Sequence, residues 1–362
     1  MVIMADLIKF SDLILSVLDQ SPLRKGGTGA DALSESVELA KICENLGYER
    51  YWVAEHHNSK SWTGTSPEIL IGQIAANTKS IRVGSGGIML THYSALKVAE
   101  QFRVLDAFYP NRIDLGIGRA PGSDQITASA LSYPKTPLDI RQFPQQVMDL
   151  LGFISGEVGQ EHPFSGIKPI AGPHPNSTLD VWLLGSSDFS GRLAAILGIP
   201  FVFADFFGDR NYGVTVADLY RNEFKPSIYS TNSKLSVSVQ VLCADTEQKA
   251  KNIASSRNLN KLISSIKLKA NDSSIGKFID TEGLLPTEEA LNYEMSETER
   301  HRMETLTGSY IDGDPLQVRN QLVEVANKYG TIDIGLVTNC YSFKDRIRSY
   351  ELIAEAFNLK KN

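Results

Sequence analysis

A glutamate and two histidines, Glu55-His56-His57, follow directly on the apolar run 51–54. Imidazole titrates near neutral pH, so a histidine that faces a pocket at this point is suited to carry protons. If the chain stays extended here, the two rings point to opposite faces and do not ligate one metal ion together. The competing interpretation is structural, with one histidine hydrogen-bonded in the core and the other exposed.

Arg119 belongs to a second segment of chemical interest, the glycine-flanked turn 118–122 after the predicted strand 112–116. A guanidinium at the end of a strand is well placed to bind a phosphate or carboxylate with two hydrogen bonds. The alternative is a structural arginine that pairs with a helix C-terminus or an acidic neighbour. Both interpretations remain open from spacing alone.

A third segment, 184–191, places small and hydroxyl-bearing residues before a helical run that ends at Gly198. The free N–H groups and positive dipole of a helix N-terminus suit an anion, although a serine there is more often only the N-cap. Because this segment and Arg119 follow consecutive predicted strands, the two together predict one phosphate site.

Short β-rich runs alternate with amphipathic helical stretches, which predicts parallel strands joined by crossover helices. Ser66-Pro67 and Asp314-Pro315 predict helix starts with proline in the first turn, Ser342-x-x-Asp345 predicts a capping box, and Asp31 is expected to cap the helix that ends at Gly47. The predicted strands are 13–18, 51–54, 81–84 continuing to 90, 112–116, 180–184, 200–204, 235–243 and 332–337.

Eight strands in this order predict an α/β fold, a single (β/α)8 TIM barrel over residues 1–362. Two stretches, about 133–178 and about 257–307, do not fit the alternation and are expected to be insertions at the C-terminal face. An open doubly wound sheet is the competing architecture. The usual nucleotide-binding fingerprint is missing, because Gly84-Ser85-Gly86-Gly87 leads into further strand where G-x-G-x-x-G would open a helix.

A net charge of −6 leaves no basic excess for nucleic acid or an anionic membrane surface. The three cysteines are far apart and odd in number, which predicts reduced, buried thiols. Acidic and basic residues interrupt the N-terminal apolar run, and no apolar run approaches the ~20 residues that cross a bilayer. We therefore expect a cytoplasmic protein without nucleic-acid or membrane partners.

In a series of ordered motifs, the chain resembles the luciferase-like flavin monooxygenases, including the alpha subunit of bacterial luciferase and its non-luminescent single-chain relatives. The resemblance covers nearly the whole chain. Each motif is weak alone, but their order and spacing make the series specific. The motifs are Gly47-Tyr48, Trp52-Val53-Ala54-Glu55-His56-His57, the strand 81–90, the helix 95–109 with Ala99-Glu100 and Leu105-Asp106, and Asn111-Arg112-Ile113-Asp114-Leu115-Gly116-Ile117-Gly118-Arg119.

The resemblance implies an FMN site at the C-terminal mouth of the barrel. His56 matches a histidine that handles protons around the reduced flavin and its peroxide, and Glu55 matches a residue near the cofactor. Gly86-Gly87 matches a position where the family often has a cis peptide bond without proline. The phosphate positions are Arg119, Ser187 and Ser190, and the other cofactor-binding positions are Gly118, Leu184 and Gly185.

Two departures limit what carries over. Gly118 stands where the luciferase alpha subunit has a reactive cysteine, so sensitivity to thiol reagents is not expected. The residues expected to line a substrate pocket, Trp62, Tyr93 and Phe207, match too loosely to transfer an aldehyde specificity or light emission.

The function implied is an FMNH2- and O2-dependent monooxygenase that oxygenates a small organic substrate through a C4a-peroxyflavin. A separate flavin reductase would supply FMNH2, and a homodimer through the helices at 66–78 and 95–109 is expected. The alternatives are an F420-dependent oxidoreductase that transfers hydride, and a flavin-binding protein without turnover.

Overall fold

The computed structural model describes residues 7–119, 122–134, 136, 138–169, 171, 179–207, 210–267 and 281–360. Nine strands are present in this part of the chain, all in parallel pairings. They are β1 (Ile14–Asp19), β2 (Arg50–Val53), β3 (Arg82–Met89), β4 (Ile113–Gly118), β5 (Asp180–Gly185), β6 (Phe201–Ala204), β7 (Leu235–Cys243), β8 (Ile311–Gly313) and β9 (Asp333–Val337).

Eight of these strands close into a barrel in the order β1-β2-β3-β4-β5-β6-β7-β9, and β9 returns to β1. The closing pairings are β6 with β7, β7 with β9 and β9 with β1. The predicted TIM barrel is therefore confirmed, and the open doubly wound sheet is excluded because each of these eight strands pairs with two others of the ring, which leaves no edge strand among them. β8 extends β7 beyond the barrel, and its three residues are too few to give a sequence pattern.

The helices follow the strands and cover the outside of the barrel or its C-terminal face. Among the described residues they are α1 (Gly29–Leu46), α2 (Pro67–Asn77), α3 (Ala95–Phe108), α4 (Gln125–Ser132), α5 (Phe143–Ser155), α6 (Asp188–Leu197), α7 (Arg210–Glu223), α8 (Glu247–Lys267), α9 (Thr287–Leu291), α10 (Glu297–Thr307), α11 (Pro315–Tyr329) and α12 (Phe343–Phe357). None of them is long and apolar enough to cross a membrane.

The local signals for helix starts are confirmed with one exception. Asp314 and Ser342 cap α11 and α12 through their side chains, and Pro67 is in the first turn of α2. The expected cap of α1 was wrong: Thr28 is the N-cap, and Asp31 is the third helical residue of a capping box. An acid at the third position accepts from the backbone of the cap, so its presence indicates a start three residues earlier.

The segment expected to be an insertion at 133–178 contains α5, which packs its apolar face into the main core of the barrel. Its buried residues include Phe143, Val147, Leu150 and Phe153. This helix is the crossover between β4 and β5, and its proline and glycine neighbours concealed it. Residues 172–178 of the same segment lie outside the described part.

The second expected insertion, 257–307, begins inside α8 and continues through α9 and α10. These three helices share a small apolar cluster, separate from the main core, that includes Leu259, Leu262, Leu285 and Met303. Residues 268–280 lie outside the described part. The described portion stands over the C-terminal face of the barrel, because Leu284 forms a β-bridge with Arg24, which is in the chain that follows β1.

The inside of the barrel has a charged layer below an apolar one. Arg50 bonds to Asp333 at 2.7 Å and lies 3.7 Å from Asp114, which also binds Arg82. Above this layer is an apolar cluster that includes Leu18, Trp52, Trp182, Val202 and Val337. The cluster forms the floor of the C-terminal mouth.

Asp19 and Arg346 form a second, fully buried ion pair between β1 and α12. Asp19 also accepts hydrogen bonds from the Tyr51 hydroxyl at 2.6 Å and the Ser21 N–H at 2.7 Å. Burial alone would raise the pKa of Asp19, but the charge of Arg346 and hydrogen bonds from Ser36, Tyr51 and Arg346 together hold it below its usual range. The pair therefore stays ionised inside the protein.

Candidate active site

The buried carboxylate of Glu55 joins the ends of β2 and β3. Its Oε1 accepts from the Tyr93 hydroxyl at 2.8 Å and lies 2.7 Å from His57 Nε2, and its Oε2 accepts from the Met89 N–H at 2.9 Å. A carboxylate can only accept, so His57 Nε2 carries the proton. Glu55 thus fixes both the position and the tautomer of His57.

His56 turns its ring into a cavity of about 520 Å3, where its centroid lies 6.1 Å from that of Trp62. Its Nδ1 is buried and has no hydrogen-bond partner among the described residues. Burial lowers the pKa of His56 to about 4, against the smaller opposing effect of the Glu55 charge. The ring is therefore neutral at physiological pH and has a nitrogen free to take a proton.

Both histidines line the cavity, whereas continued strand geometry would have turned one of them away. β2 ends at Val53, so the alternation of an extended strand does not reach residues 56 and 57. The structural interpretation applies to His57, whose ring is fixed by its hydrogen bond to Glu55. In the described part of the chain, no three His, Cys, Asp or Glu side chains are arranged to hold a metal ion.

The cavity lies between the loop after β2, the start of α4, and α8 with the chain that follows it. Trp62 is part of its wall, as expected for a substrate pocket, while Tyr93 and Phe207 lie outside the lining. The lining residues are His56, His57, Asn58, Ser59, Lys60, Ser61, Trp62, Gly122, Ser123, Asp124, Ser256, Asn260, Ile263, Ser264, Thr281, Gly283 and Leu285.

The Gly86–Gly87 peptide bond is cis, as the family resemblance implied. A Cβ on Gly86 would come within 2.3 Å of the Leu18 side chain, and one on Gly87 within 2.7 Å of the Gly116 backbone. Gly87 faces backbone, which cannot move aside, so close packing requires glycine there. At Gly86 the contact is with the end of the Leu18 side chain, which would have to shift to admit a Cβ.

The expected phosphate residues come together at the ends of β4 and β5, where Gly118 pairs with Leu184. The Arg119 guanidinium lies 4.4 Å from the ring centroid of Phe189, in the first turn of α6, and forms no ion pair with a described carboxylate. Ser187 is the N-cap residue of α6, yet its side chain makes no capping hydrogen bond. An unpaired guanidinium thus stands beside a helix N-terminus whose serine hydroxyl is available.

Ser190 and Gly185 are packed against each other at this point. Ser190 is buried, and a Cβ on Gly185 would lie 2.3 Å from its hydroxyl oxygen. One acidic residue, Asp188, is in the same turn, where the Tyr212 hydroxyl both donates to its carboxylate and accepts from its N–H. The neighbouring Ala120 and Pro121 lie outside the described residues.

The sequence did not single out several residues that build the site. Asn260 on α8 accepts a hydrogen bond from Ser61 at 2.8 Å and so ties the second expected insertion to the loop after β2. Lys261 follows it and lies over the Phe207 ring, with 5.3 Å between Nζ and the centroid. A polar helix with mixed charges carries no signal for which of its faces meets the barrel.

Residues 12–331 match the luciferase-like monooxygenase family. The uncharacterized protein YwcH of Bacillus subtilis is 42% identical over 343 residues, which are 95% of this chain and 98% of that protein. The N-acetyl-S-alkylcysteine monooxygenase of the same organism is 34% identical over 343 residues, 94% of this chain and 97% of its own length. The chain therefore belongs to the luciferase-like monooxygenase family.

Solved structures agree with this assignment. The crystal structure of apo-MsnO8 superposes with a TM-score of 0.82 at 35% identity and covers 97% of this chain and 100% of its own. Two more distant structures share the fold. The oxygenating constituent of 3,6-diketocamphane monooxygenase from Pseudomonas putida, in complex with FMN, has a TM-score of 0.69 at 16% identity, with 95% and 98% coverage. An F420-dependent secondary alcohol dehydrogenase in complex with an F420-acetone adduct has a TM-score of 0.67 at 12% sequence identity. The match covers 95% of this chain and 99% of that one.

Proposed function

We propose that this protein is a monooxygenase that uses reduced FMN and O2 to oxygenate a small organic substrate. The observation that carries the proposal is the unpaired Arg119 guanidinium beside the first turn of α6. Its charge, the hydroxyls of Ser187 and Ser190, and the helix N-terminus form a set of donors that suits a phosphate. Gly86, Gly87, Leu184 and Gly185 would lie along the rest of the cofactor.

When bound, reduced FMN supplies the electrons that activate O2, and the protein supplies position and proton transfer. We assign proton transfer at the cavity to His56, because its ring is neutral and its Nδ1 is free to accept a proton. Its low pKa makes it a weak base, so it would return that proton readily. Glu55 keeps His57 in one tautomer beside it. The helices over the mouth exclude water from the reacting groups.

The cofactor test is an anaerobic titration with FMN, FMNH2, riboflavin and F420, followed by tryptophan fluorescence. We expect FMNH2 to bind most tightly, and Arg119→Ala to weaken FMN by about 10- to 100-fold, as for a lost charge-assisted hydrogen bond, while riboflavin is unaffected. Arg192→Ala is the control, because Arg192 is on α6, the helix that Arg119 contacts, but pairs with Glu223 at the surface. Equal losses for FMN and riboflavin would refute the phosphate contact.

The main alternative is hydride transfer with F420, since a structure of similar fold is described with that cofactor. Rapid mixing of the reduced enzyme with O2 separates the two, because a monooxygenase consumes O2 in the presence of substrate and a hydride transferase does not. His56→Ala should still bind FMNH2 but give little product. Full product formation by that variant would remove His56 from the mechanism. A wild-type protein that binds FMNH2 but forms no product would instead support flavin binding without turnover.

Thioethers of N-acetylated cysteine are the first substrates to test. The proposal rests on the B. subtilis relative named N-acetyl-S-alkylcysteine monooxygenase, which aligns with nearly the whole chain. The cavity of about 520 Å3 beside His56 is large enough for a molecule of this size. The chain has no G-x-G-x-x-G turn for a nicotinamide cofactor, so a separate reductase is the proposed source of FMNH2.

A homodimer through α2 and α3 is also proposed. Ile69 on α2 and Phe108 on α3 are 66% and 72% exposed, and Val104 is exposed between them. Large apolar side chains that share a surface are typical of interfaces between subunits. The cytoplasm is the proposed location, in keeping with three buried cysteines that form no disulfide.

A further inference from the structure

Helix α8 lies across the C-terminal mouth of the barrel. β2 and β6 are four strands apart in a ring of eight and therefore face each other across the mouth. Asn260 bonds to Ser61, in the loop after β2, and the next residue, Lys261, lies over Phe207, directly after β6. Lys261 is not part of the lining of the His56 cavity; it is next to the lining residue Asn260, and its amine lies over Phe207 at the opposite wall of the mouth.

Lys261 has no acidic partner among the described residues, although much of its side chain is buried. Burial lowers the pKa of its amine, and no charged group opposes this effect. Arg257, one turn earlier on the same helix, pairs with Asp312 at 2.6 Å and stacks on Tyr310. The face of α8 above the barrel therefore carries two cations. Among the described residues, Arg257 is paired with a carboxylate, on β8, and Lys261 is not.

Contact with the Phe207 ring stabilises the Lys261 ammonium only in part, because a ring face is a weaker partner than a carboxylate. An unpaired buried charge is otherwise costly, and a ligand that brings an anion removes that cost.

Other charges in the cavity are already engaged. Asp124 caps α4 by accepting from the Thr127 N–H at 2.8 Å, and these bonds lower its pKa to about 2. It also accepts from Asn58 at 3.1 Å. His57 is held by Glu55, and Lys60 is at the exposed rim. The remaining polar lining is neutral and consists of hydroxyls, amides and the His56 ring. Lys261, beside the lining residue Asn260, is therefore the nearest charge on α8 without a partner among the described residues.

We propose that Lys261 binds a carboxylate of the organic substrate and thereby selects anionic substrates. The inference rests on the proposed monooxygenase function and adds a substrate class to it. An N-acetyl-S-alkylcysteine fits this class, because acylation removes the charge of its amine and leaves a single carboxylate. Lys261 would hold that end of the molecule while the thioether sulfur lies near His56.

The test compares N-acetyl-S-methylcysteine with its uncharged carboxamide. Each is titrated into the full-length protein with FMN bound, and binding is followed by the fluorescence of Trp62 in the cavity wall. We expect the acid to bind at least 10-fold more tightly than the amide. Lys261→Met should weaken binding of the acid by about 10- to 100-fold and leave binding of the amide unchanged. Lys261→Arg should restore most of the difference in affinity between the two compounds.

Lys251→Met is the matched control, because Lys251 is on the same helix but pairs with Glu247 at the surface. Equal binding of acid and amide to the wild type, or loss in Lys60→Met and not in Lys261→Met, would overturn the proposal. Weaker binding of FMN than of riboflavin to Lys261→Met would also overturn it, because the anion would then be the cofactor phosphate. These are equilibrium measurements, so failure of the oxygenase reaction appears separately, as absent O2 consumption in a protein that still prefers the acid.

Discussion

Glu55 Oε1 lies 2.7 Å from His57 Nε2, and the same oxygen accepts the Tyr93 hydroxyl at 2.8 Å. One carboxylate oxygen therefore links a residue at the end of β2 with one after the end of β3. Burial and the Glu55 charge raise the pKa of Tyr93 well above its usual value, so its hydroxyl remains a donor. The three side chains form a fixed wall beside His56.

Removal of the Tyr93 hydroxyl tests this wall. Tyr93→Phe should lower the free energy of unfolding by about 1 kcal/mol, and Glu55→Gln by about 1–3 kcal/mol, because an amide cannot accept all three hydrogen bonds. Urea unfolding of each variant gives the values. Tyr133→Phe is the control, since Tyr133 is exposed on the surface. Equal effects of the two tyrosine changes would contradict the structural role of Tyr93.

The low pKa of His56 predicts a specific loss of stability in acid. The unfolded imidazole takes up a proton near pH 6.5 and the folded one only near pH 4, so stability falls as the pH drops between these values. Relative to His56→Gln, the wild type should lose up to about 3 kcal/mol. Urea unfolding at pH 7, 5.5 and 4.5 measures the difference, which should be absent above pH 7. Parallel pH curves for the two proteins would show that His56 titrates normally.

The barrel was predictable because most of its strands are short β-rich runs, and the neighbouring helices have clear capping residues, prolines or glycines at their ends. β5, for example, follows from the run 180–184 and the α6 signal that ends at Gly198, a C-cap with positive φ. α5 was not found, because its start at Phe143-Pro144 has no side-chain cap and resembles a loop. β8 was not found because its pairing with β7 depends on tertiary contacts.

The positions of His56, Arg119 and Ser187 at the mouth were predictable, because each residue follows a predicted strand of the barrel. Lys261 was not, because a lysine on a polar helix looks like any surface lysine in sequence. Its significance depends on α8 lying across the mouth, and that follows from the Asn260–Ser61 contact between residues 199 positions apart. Local patterns carry no information at that distance.

The buried pair of Asp19 and Arg346 predicts a strong mutational effect. Arg346→Met should destabilise the protein by about 3–5 kcal/mol, because it leaves the Asp19 carboxylate buried without its counter-charge. Arg348→Met, two residues along the same helix, removes only partly exposed pairs with Asp245 and Glu351 and should cost less than about 1 kcal/mol. Chemical denaturation of the two variants under the same conditions makes the comparison. Similar losses would mean that Asp19 is not charged in the folded protein.

The dimer proposal predicts a change of mass in solution. Phe108→Arg places a charge on the exposed face of α3 and should convert a dimer into a monomer, as measured by sedimentation velocity. Ile228→Arg changes an equally exposed apolar residue on another face and should leave the mass unchanged. A wild-type protein that already sediments as a monomer would refute the proposal.

The pairing of β1 with β9 has a consequence for the order of events during synthesis. β1 leaves the ribosome early, but its neighbour on one side and its buried counter-ion Arg346 come much later, the latter 327 residues along the chain. Until then one edge of β1 is open to pairing with other chains. Nascent chains interrupted before β9 should therefore depend on chaperones. Pairing of β9, the last strand, is the step that protects the open edge of β1, the first strand.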